Sequence, residues 1–541
     1  MDIEQLDFRN LPYSGLFCDY IDRTDGIVPF YSRKHTYDDL KDAVSSYRFK
    51  GDRKKMADLI AGFNSGISDH ISEGELAGIL ADENTVAVTT GQQLSLFGGP
   101  LYTVYKTMTV IHLANRLTRD TGRNVVPVFW LADEDHDFEE ISAAVMPERQ
   151  DVKKITLSCD ACAYHAAGSI RVDEGFEQFR RKVYESLQPT DFHEQLVSLL
   201  DEAYASGRTY RDAFGTLLSR LFSRHGLILA GSNFRQAKEY SSNCIRKAIH
   251  HADEIQTILT EQSQRLGGSY HQQVQVTDSL LFWHDDEHGR VRLKHEDGVW
   301  QRKPGISFTR DELLELLEKE PERFSPNVFL RPILQDTILP NAAYVGGPAE
   351  IAYYGQMKPV YDLFDMGMPF IAGRMSATLV EPAVQRFLGE LPFGFTDFLK
   401  RFEDLEQHYL RTHGNSDLDK HFETWKEQVD ALTSKMVVEA GIADPGLRKH
   451  AKAITKEYNK SIDKLKKKMV NVIRQKEEVQ TNRIRKVKSA LFPNEKLQER
   501  EISFIYYLNK FGMDLFDRLL KQLSEQDEEF PLFTKHHIIK L

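Results

Sequence analysis

The sequence predicts an α/β protein whose parallel-sheet core is interrupted by insertions and followed by a helical hairpin with a coiled-coil seam. Three observations predict it. Short runs of β-branched and aromatic residues alternate with helical patterns through the first three-quarters of the chain, as a parallel sheet requires when helices form its crossovers. Each run ends in glycine or polar residues, at the strand edge where ligands of such sheets bind. A seam-like apolar series begins only at Leu418, after the strand-like runs have stopped.

Taken in order, the strand candidates are TVAVTT (85–90), NVVPVFWLA (124–132), GLILAG (226–231), AAYVGG (342–347) and MPFIAG (368–373). Their near-continuous apolar character marks strands buried on both faces. Two stretches break the rhythm. Residues 156–225 are mostly amphipathic helix, as in FEQFRRKVYESL, while 273–305 alternate as short strands around Asp285-Asp286-Glu287-His288-Gly289. Both read as insertions packed on the core.

Beyond Leu418, the residues Phe422, Trp425, Val429, Leu432 and Met436 follow at seam spacing, and after Asp444-Pro445-Gly446 the series resumes from Leu447 to Val472. The second arm is strongly basic through Lys464–Lys488 and the first mildly acidic, so a solvated, partly paired face is expected. The ending HHIIKL reads as a strand or extended tail returning to the core. The resulting division puts core at 1–155, 226–272 and 326–395, a helical insertion at 156–225 and a β-rich one at 273–325. The hairpin takes 396–495 and a returning C-terminal segment 496–541.

With 541 residues, 41% of them hydrophobic, the chain can bury a large core. Its 70 Lys+Arg against 81 Asp+Glu give a net charge of −11, which argues against general nucleic-acid or membrane-surface binding, since both need clustered positive charge. The opening MDIEQLDFRN is acidic where a secretory signal would be basic, and no apolar stretch reaches the roughly 18 residues that cross a bilayer, so a cytoplasmic location is expected. Four cysteines are too few for a disulfide scaffold. Cys159 and Cys162 form a CxxC, but zinc would need two more ligands and only His165 lies near, so incidental surface thiols and no metal centre are expected.

The loop TTGQQLSLFGGPLYTVYKT passes from a strand into a helix. Gly91, Gly98 and Gly99 permit close backbone approach, Pro100 suits the first helical position, and the helix start would offer N–H groups to a phosphate or carboxylate. Gln92 and Gln93 share the loop, and Tyr102 and Lys106 share one face of the helix. The pattern is neither a Walker loop nor G-x-G-x-x-G.

The second strand ends in Asp133-Glu134-Asp135-His136-Asp137. So many carboxylates at the edge of a buried strand cost electrostatic energy unless a cation, an amine or proton transfer uses them, which makes Asp133, Asp135, His136 and Asp137 the catalytic candidates. An acidic helix N-terminus would account for some of the carboxylates but not the histidine. A third group is Arg331, Gln335 and Asp336, followed by Gly346, Gly347, Glu350 and Tyr354, where Gly-Gly-Pro repeats the first loop and offers a second anion-ready N-terminus. Arg331 could instead serve a buried structural ion pair. Arg374, after MPFIAG, completes the binding candidates.

Together TGQQLSLFGGPLYTVYKT, VPVFWLADEDHDFEEI, FLRPILQDTILPNAAYVGGPAEIAYYGQ and LQEREISFIYYLNKFG resemble the cysteine ligases of bacillithiol biosynthesis, the BshC family, over nearly the whole chain. The resemblance implies a Rossmann-like core with connecting-peptide insertions, broadly similar to class I aminoacyl-tRNA synthetases, and a coiled coil that forms a homodimer. It implies a carbon–nitrogen bond-forming ligase that adds cysteine to glucosaminyl-malate, with small molecules rather than nucleic acid or membrane as partners. Activating a carboxylate for amide formation makes ATP, with magnesium, the expected cosubstrate. The implied site loops are Gly91–Pro100, Asp133–Asp137, Arg331–Asp336 and Gly346–Tyr354, with a nucleotide pocket near the hairpin and Leu497–Gly512.

The chain departs from these patterns in two places. Ser232-Asn233-Phe234-Arg235 stands where an acidic residue is expected in relatives. The synthetase HxGH signature is absent and Arg374-Met375-Ser376 only loosely matches the second one, so adenylation is not carried over by analogy. The alternative reading is a nucleotide-dependent RNA- or protein-binding factor that grips its partner with the basic arm.

Overall fold

The five apolar runs pair into one parallel sheet in the computed structural model, which describes residues 2–68, 70–159, 162, 164–296, 298–303, 305–413, 418–526 and 534–541. Across the sheet the strands run Phe370–Gly373, Asn341–Gly346, Thr85–Gln92, Asn124–Leu131 and Ile228–Ala230, every neighbouring pair parallel. The chain lays down its first three strands moving outward in one direction, then returns to place Asn341–Gly346 on the other side of Thr85–Gln92. Strand order therefore reverses between these two, and the adjoining crossovers leave in opposite directions, opening a crevice at the carboxyl edge.

Burial explains why these runs are strands. All residues from Thr85 to Gly91 and from Val125 to Leu131 are buried, so both faces are covered, and a continuous apolar run rather than an alternating one results. The helix Leu101–Thr121 packs on the sheet through Val104, Met108 and Ile111, and ends at Gly122 in the left-handed conformation (φ 68°), a common helix stop.

Between the second and third strands the chain forms an antiparallel pair, Ala143–Pro147 with Val152–Thr156, and then the helices Glu174–Ser186, His193–Ala203 and Tyr210–Phe222. Between the third and fourth lies a five-stranded antiparallel sheet, in the order Ile306–Phe308, Val299–Arg302, Gly289–Glu296, Leu281–Asp285, Phe324–Pro326. Cys159 and Cys162 are joined in a disulfide rather than left as surface thiols, because a turn donating Cys162 N–H to the Cys159 carbonyl (3.1 Å) folds one onto the other. Cys162 is buried.

The hairpin arms are Leu418–Ala443 and Leu447–Lys476, turning at Asp444-Pro445-Gly446 as the periodicity expects. Lys466 of the second arm pairs with Asp419 of the first (2.7 Å), and Lys426 of the first with Asp463 of the second (2.6 Å), so the two arms exchange ion pairs in both directions. The arm is not continuous to Lys488. It breaks at Glu477, and the next helix, Glu478–Leu491, buries Ile484, Val487 and Leu491 in the body of the protein. Among the described residues, no helix is long and apolar enough to cross a membrane.

HHIIKL does return as a strand: His536–Lys540 lies between Ser376–Val380, to which it is parallel, and Asp2–Leu6, to which it is antiparallel. The segment before it closes the first glycine loop. The Leu101 N–H donates to the Ile502 carbonyl (3.0 Å), the Phe504 N–H to the Gly99 carbonyl (3.2 Å), and the Phe504 ring covers Gly98. The helix start expected to receive an anion at Gly98, Gly99 and Pro100 is thus capped by the protein's own backbone.

Gly98 has φ +82°, and a Cβ there would lie 2.3 Å from the Phe504 ring. Gly98→Ala is expected to lower the thermal midpoint, with about 2–4 kcal/mol lost to overpacking and backbone strain. Gly62→Ala, in the helix Arg53–Asn64 with nothing within 4 Å of the added methyl, should be neutral or stabilise by up to about 1 kcal/mol. Calorimetric melting of both variants checks the contrast, and equal effects would discard it.

Candidate active site

A cavity of about 600 Å³ occupies the crevice where the strand order reverses. The carboxyl ends of all five core strands reach it, through Gly91, Ala132, Ser232, Tyr344 and Arg374 or their immediate neighbours. The antiparallel insertion closes one side with Phe282, Arg290 and Arg292, and the C-terminal segment adds Arg500.

Lys106 stands at the floor. Its ammonium is buried and donates to the Gly91 carbonyl (2.7 Å) and Gln92 Oε1 (3.0 Å), and it pairs with Glu350 Oε2 (2.6 Å). These three partners tie the end of strand Thr85–Gln92 to the helix Pro348–Tyr354. Burial would push the Glu350 carboxyl up, but Lys106, the Tyr344 hydroxyl and the Gly347 N–H outweigh it and hold Glu350 below its usual range. Glu350 also accepts from the Gly347 N–H (2.8 Å), so this second Gly-Gly-Pro turn carries a built-in acid at its helix start.

Three guanidiniums line the cavity beside this pair. Arg331 donates to Gln335 Oε1 (3.2 Å) and the Tyr353 hydroxyl (2.7 Å) and faces the Tyr344 ring, and among the described residues no carboxylate lies within ion-pair distance of it. Arg500 likewise carries no ion pair among the described residues. Arg374 is paired with Glu499 (2.6 Å) and lies over the Tyr102 ring. Arg374 is buried, Arg331 half-buried and Arg500 exposed; a guanidinium stays charged in each setting, so this wall suits an anion, and arginine's forked donors suit carboxylate or phosphate.

The opposite wall is acidic, but its carboxylates are not equivalent. Asp133 is buried and accepts from the Ser232 and Asn233 N–H groups (3.2 Å each), while its carbonyl accepts from Gly168 (2.9 Å). Glu134 pairs with the buried Lys238. Asp137 caps the four-residue helix Phe138–Ile141 and is exposed. These acids hold loops in place. Asp135 faces the cavity, accepting from Gln93 Nε2 (2.6 Å) and the His136 N–H (2.8 Å), with Arg290 3.6 Å away. Burial opposes its ionisation, yet Arg290 and the Gln93 hydrogen bond hold its carboxyl below the usual range.

His136 is held neutral at physiological pH, since burial and the adjacent Arg290 both lower its pKa. Arg290 can only donate, and its guanidinium is 3.2 Å from His136 Nδ1. The ring proton therefore sits on Nε2, which makes His136 a hydrogen-bond donor and not a proton acceptor at Nδ1. Arg290 is fixed by the Pro326 carbonyl (2.8 Å), Ser325 Oγ (3.0 Å) and the face of Phe282 (3.9 Å).

Of the sequence candidates, Gly91, Gln92, Gln93, Tyr102, Lys106, Asp133, Asp135, His136, Arg331, Gly347, Glu350 and Arg374 meet at this cavity. Gly98, Gly99, Pro100, Asp137, Gln335, Asp336, Gly346 and Tyr354 do not line it. Gln335 and Asp336 lie beneath Arg331, where Asp336 accepts from Asn341 Nδ2 (2.7 Å) and the Tyr361 hydroxyl (2.6 Å), and Tyr354 is buried against Tyr344 and Tyr353. Arg290, Arg292, Arg500 and Glu499 were not foreseen. For the first two a signal existed: Arg290 and Arg292 recur at period two on the strand Gly289–Glu296, giving an alternating strand one basic face. Arg500 and Glu499 lie in the motif Leu497–Gly512, which the resemblance placed beside a nucleotide pocket near the hairpin; Arg500 lines the central cavity, and Glu499 is buried behind Arg374.

A family model described as bacillithiol biosynthesis BshC, N-terminal Rossmann-like domain, matches residues 1–375, and one described as bacillithiol biosynthesis BshC, C-terminal coiled-coil domain, matches residues 377–535. A protein of Salinibacter ruber named "Putative cysteine ligase BshC" is 32% identical over 520 residues, covering 94% of each chain. Proteins of the same name from Bacillus mycoides (30% identical) and Bacillus cytotoxicus (29% identical) align over the full length of both chains.

Burial raises the Asp336 carboxyl to about 6, against the pull of Tyr361, Asn341 and Gln335. Its folded value lies above its ordinary 3.8, so its contribution to stability is full below that value and is lost as pH rises through about 6. Asp336→Asn should remove this dependence. Urea unfolding at acidic and neutral pH is expected to show the unmodified protein losing stability relative to the variant as pH rises, and a constant difference would refute the assignment.

Proposed function

Because this chain belongs to the BshC family of bacillithiol biosynthesis, we propose that it is a cysteine ligase, joining the cysteine carboxyl to the amine of glucosaminyl-malate by an amide bond. The observation that carries this reading is the division of one cavity into a guanidinium wall and an acidic wall. The acceptor carries the matching groups: a malyl group with two carboxylates and an amine on the sugar. Arg331 and Arg500, lacking carboxylate partners among the described residues, fit the malyl carboxylates. Asp135, kept ionised by Arg290 and Gln93, draws an ammonium to the other side and can take its proton as the amine attacks.

An amide forms from a free carboxylate only after the carboxylate has gained a leaving group, which is why we assign ATP as cosubstrate. The acidic loop is not built as a magnesium site, because Asp133 is committed to two backbone N–H groups and Asp135 to Gln93 and Arg290. The chain's own residues supply orientation, charge complementarity and proton acceptance, with Lys106 and Glu350 fixing the floor between the two walls.

We also propose that the hairpin pairs with a second copy. Leu432, Ile442, Leu465 and Val472 are exposed along its two arms, an apolar seam that a lone hairpin leaves in water. Leu432→Glu combined with Ile442→Glu is expected to give a monomer by sedimentation, and an unchanged dimer, or a monomeric unmodified protein, would remove the idea.

Purified protein given cysteine, glucosaminyl-malate and ATP with magnesium should yield a new thiol, detected by labelling and mass spectrometry. Arg331→Met is expected to raise KM for the acceptor about 10- to 100-fold, the worth of a charge-assisted contact, and Asp135→Asn to lower kcat by about 100-fold or more. Absence of product from the unmodified protein would overturn the reaction, and normal kinetics in both variants would overturn the roles.

A further inference from the structure

Behind the guanidinium wall lies a carboxylate that no sequence reading singled out. Glu499 sits on the short helix Gln498–Glu501, reached by the chain after it leaves the hairpin, and its side chain is wholly buried. Oε1 accepts from Arg374 (2.6 Å) and from the Tyr13 hydroxyl (3.3 Å), while Oε2 accepts from Ser376 Oγ (2.9 Å) and the Ala377 N–H (3.0 Å). Its neighbour Gln498 is clamped to the same strand, accepting from the Leu379 N–H (2.8 Å) and donating to the Leu379 carbonyl (2.9 Å) and to the Ala490 carbonyl (2.8 Å). The carboxylate is therefore held by one backbone N–H and three side chains, on a segment that Gln498 clamps to the strand Ser376–Val380.

Arg374 is constrained in turn. One terminal nitrogen is committed to Glu499, the other donates to the Met375 carbonyl (2.7 Å), and the guanidinium stacks against Tyr102. The remaining N–H edge, at Nε, faces Gly347 at the cavity lip, where even an added Cβ would approach it to 3.4 Å. Arg374 and Gly347 both line the cavity.

We propose that Glu499 is a positioning residue of this site, holding Arg374 so that its Nε edge meets an anionic group of a bound ligand. The proposal rests on the ligase reading for the identity of that ligand. Its chemistry is a carboxylate or phosphate oxygen, and the sources are the malyl group of the acceptor or the phosphates of ATP. Glu499 acts only through Arg374, so losing its charge lets the guanidinium turn away and weakens whichever ligand Arg374 contacts. In Glu499→Gln the side chain keeps its shape, but its amide nitrogen must face either Arg374 or the Ala377 N–H, donor against donor.

The test is calorimetric titration of full-length protein with glucosaminyl-malate and, separately, with ATP, alongside kcat and KM, for the unmodified protein, Glu499→Gln, Arg374→Met and the double variant. Glu499→Gln should weaken one ligand at least about tenfold, Arg374→Met should weaken the same ligand, and the double variant should bind no worse than Arg374→Met alone. Loss confined to the acceptor assigns the malyl carboxylates, and loss confined to ATP assigns the phosphates.

The proposal falls if Glu499→Gln melts earlier yet binds both ligands normally, or if the two single losses add. If Glu499→Gln does not fold, Ser376→Ala removes one donor and leaves the charge, and a smaller loss for the same ligand is expected; unchanged binding would overturn the proposal. Binding is read without turnover. If the unmodified protein binds the acceptor and makes no thiol, the reaction fails while Glu499 keeps its role, and if it binds neither ligand both readings fail.

Discussion

The buried pair of Arg374 and Glu499 joins the last strand of the core to the segment that returns after the hairpin, and much of the architecture depends on that join. Removing one member of such a pair leaves an uncompensated charge in the interior, at a cost of about 3–5 kcal/mol. Around it, Gln498 pins the backbone of Ser376–Val380, and His536–Lys540 completes the sheet on which both chain termini meet. The same segment sends the Ile502 carbonyl to the start of the helix Leu101–Thr121 and the Phe504 ring onto Gly98. The Rossmann-like core is thus finished by residues more than a hundred positions beyond its last strand.

That completion decides which charges face the cavity. A helix start that would otherwise attract an anion is capped by a carbonyl, and Arg331, Arg374 and Arg500 bring positive charge to the crevice instead. The acidic loop undergoes a parallel sorting. Asp133 and Glu134 also border the cavity but are spent on backbone N–H groups and on Lys238, whereas Asp135 accepts from Gln93 and lies beside Arg290. Close glycines make the first of these possible: a Cβ at Gly168 or Gly231 would lie under 3 Å from Asp133.

The strands were legible because their signal is local. Residues buried on both faces must be apolar in succession, so Thr85–Gln92, Asn124–Leu131 and Asn341–Gly346 announce themselves, and with them the loops at their carboxyl ends. Asp2–Leu6 does not, because its partly exposed pattern mixes Ile3 and Leu6 with acids and resembles a polar tail. The break at Glu477 was equally hidden, since the basic composition continues unchanged across it.

By itself the sequence determined the parallel α/β core, the hairpin with its turn at Asp444-Pro445-Gly446, and the loops that carry Lys106, Asp135, Arg331 and Glu350 to a common edge. Periodicity and turn chemistry operate over a few residues, and these features need nothing more. Only the tertiary structure decided which carboxylates are spent internally, that Arg290 and Arg500 face the same cavity, and that Glu499 stands behind Arg374. Those outcomes depend on pairings between residues up to several hundred positions apart, where desolvation and partner geometry, not local pattern, set what each charge can do.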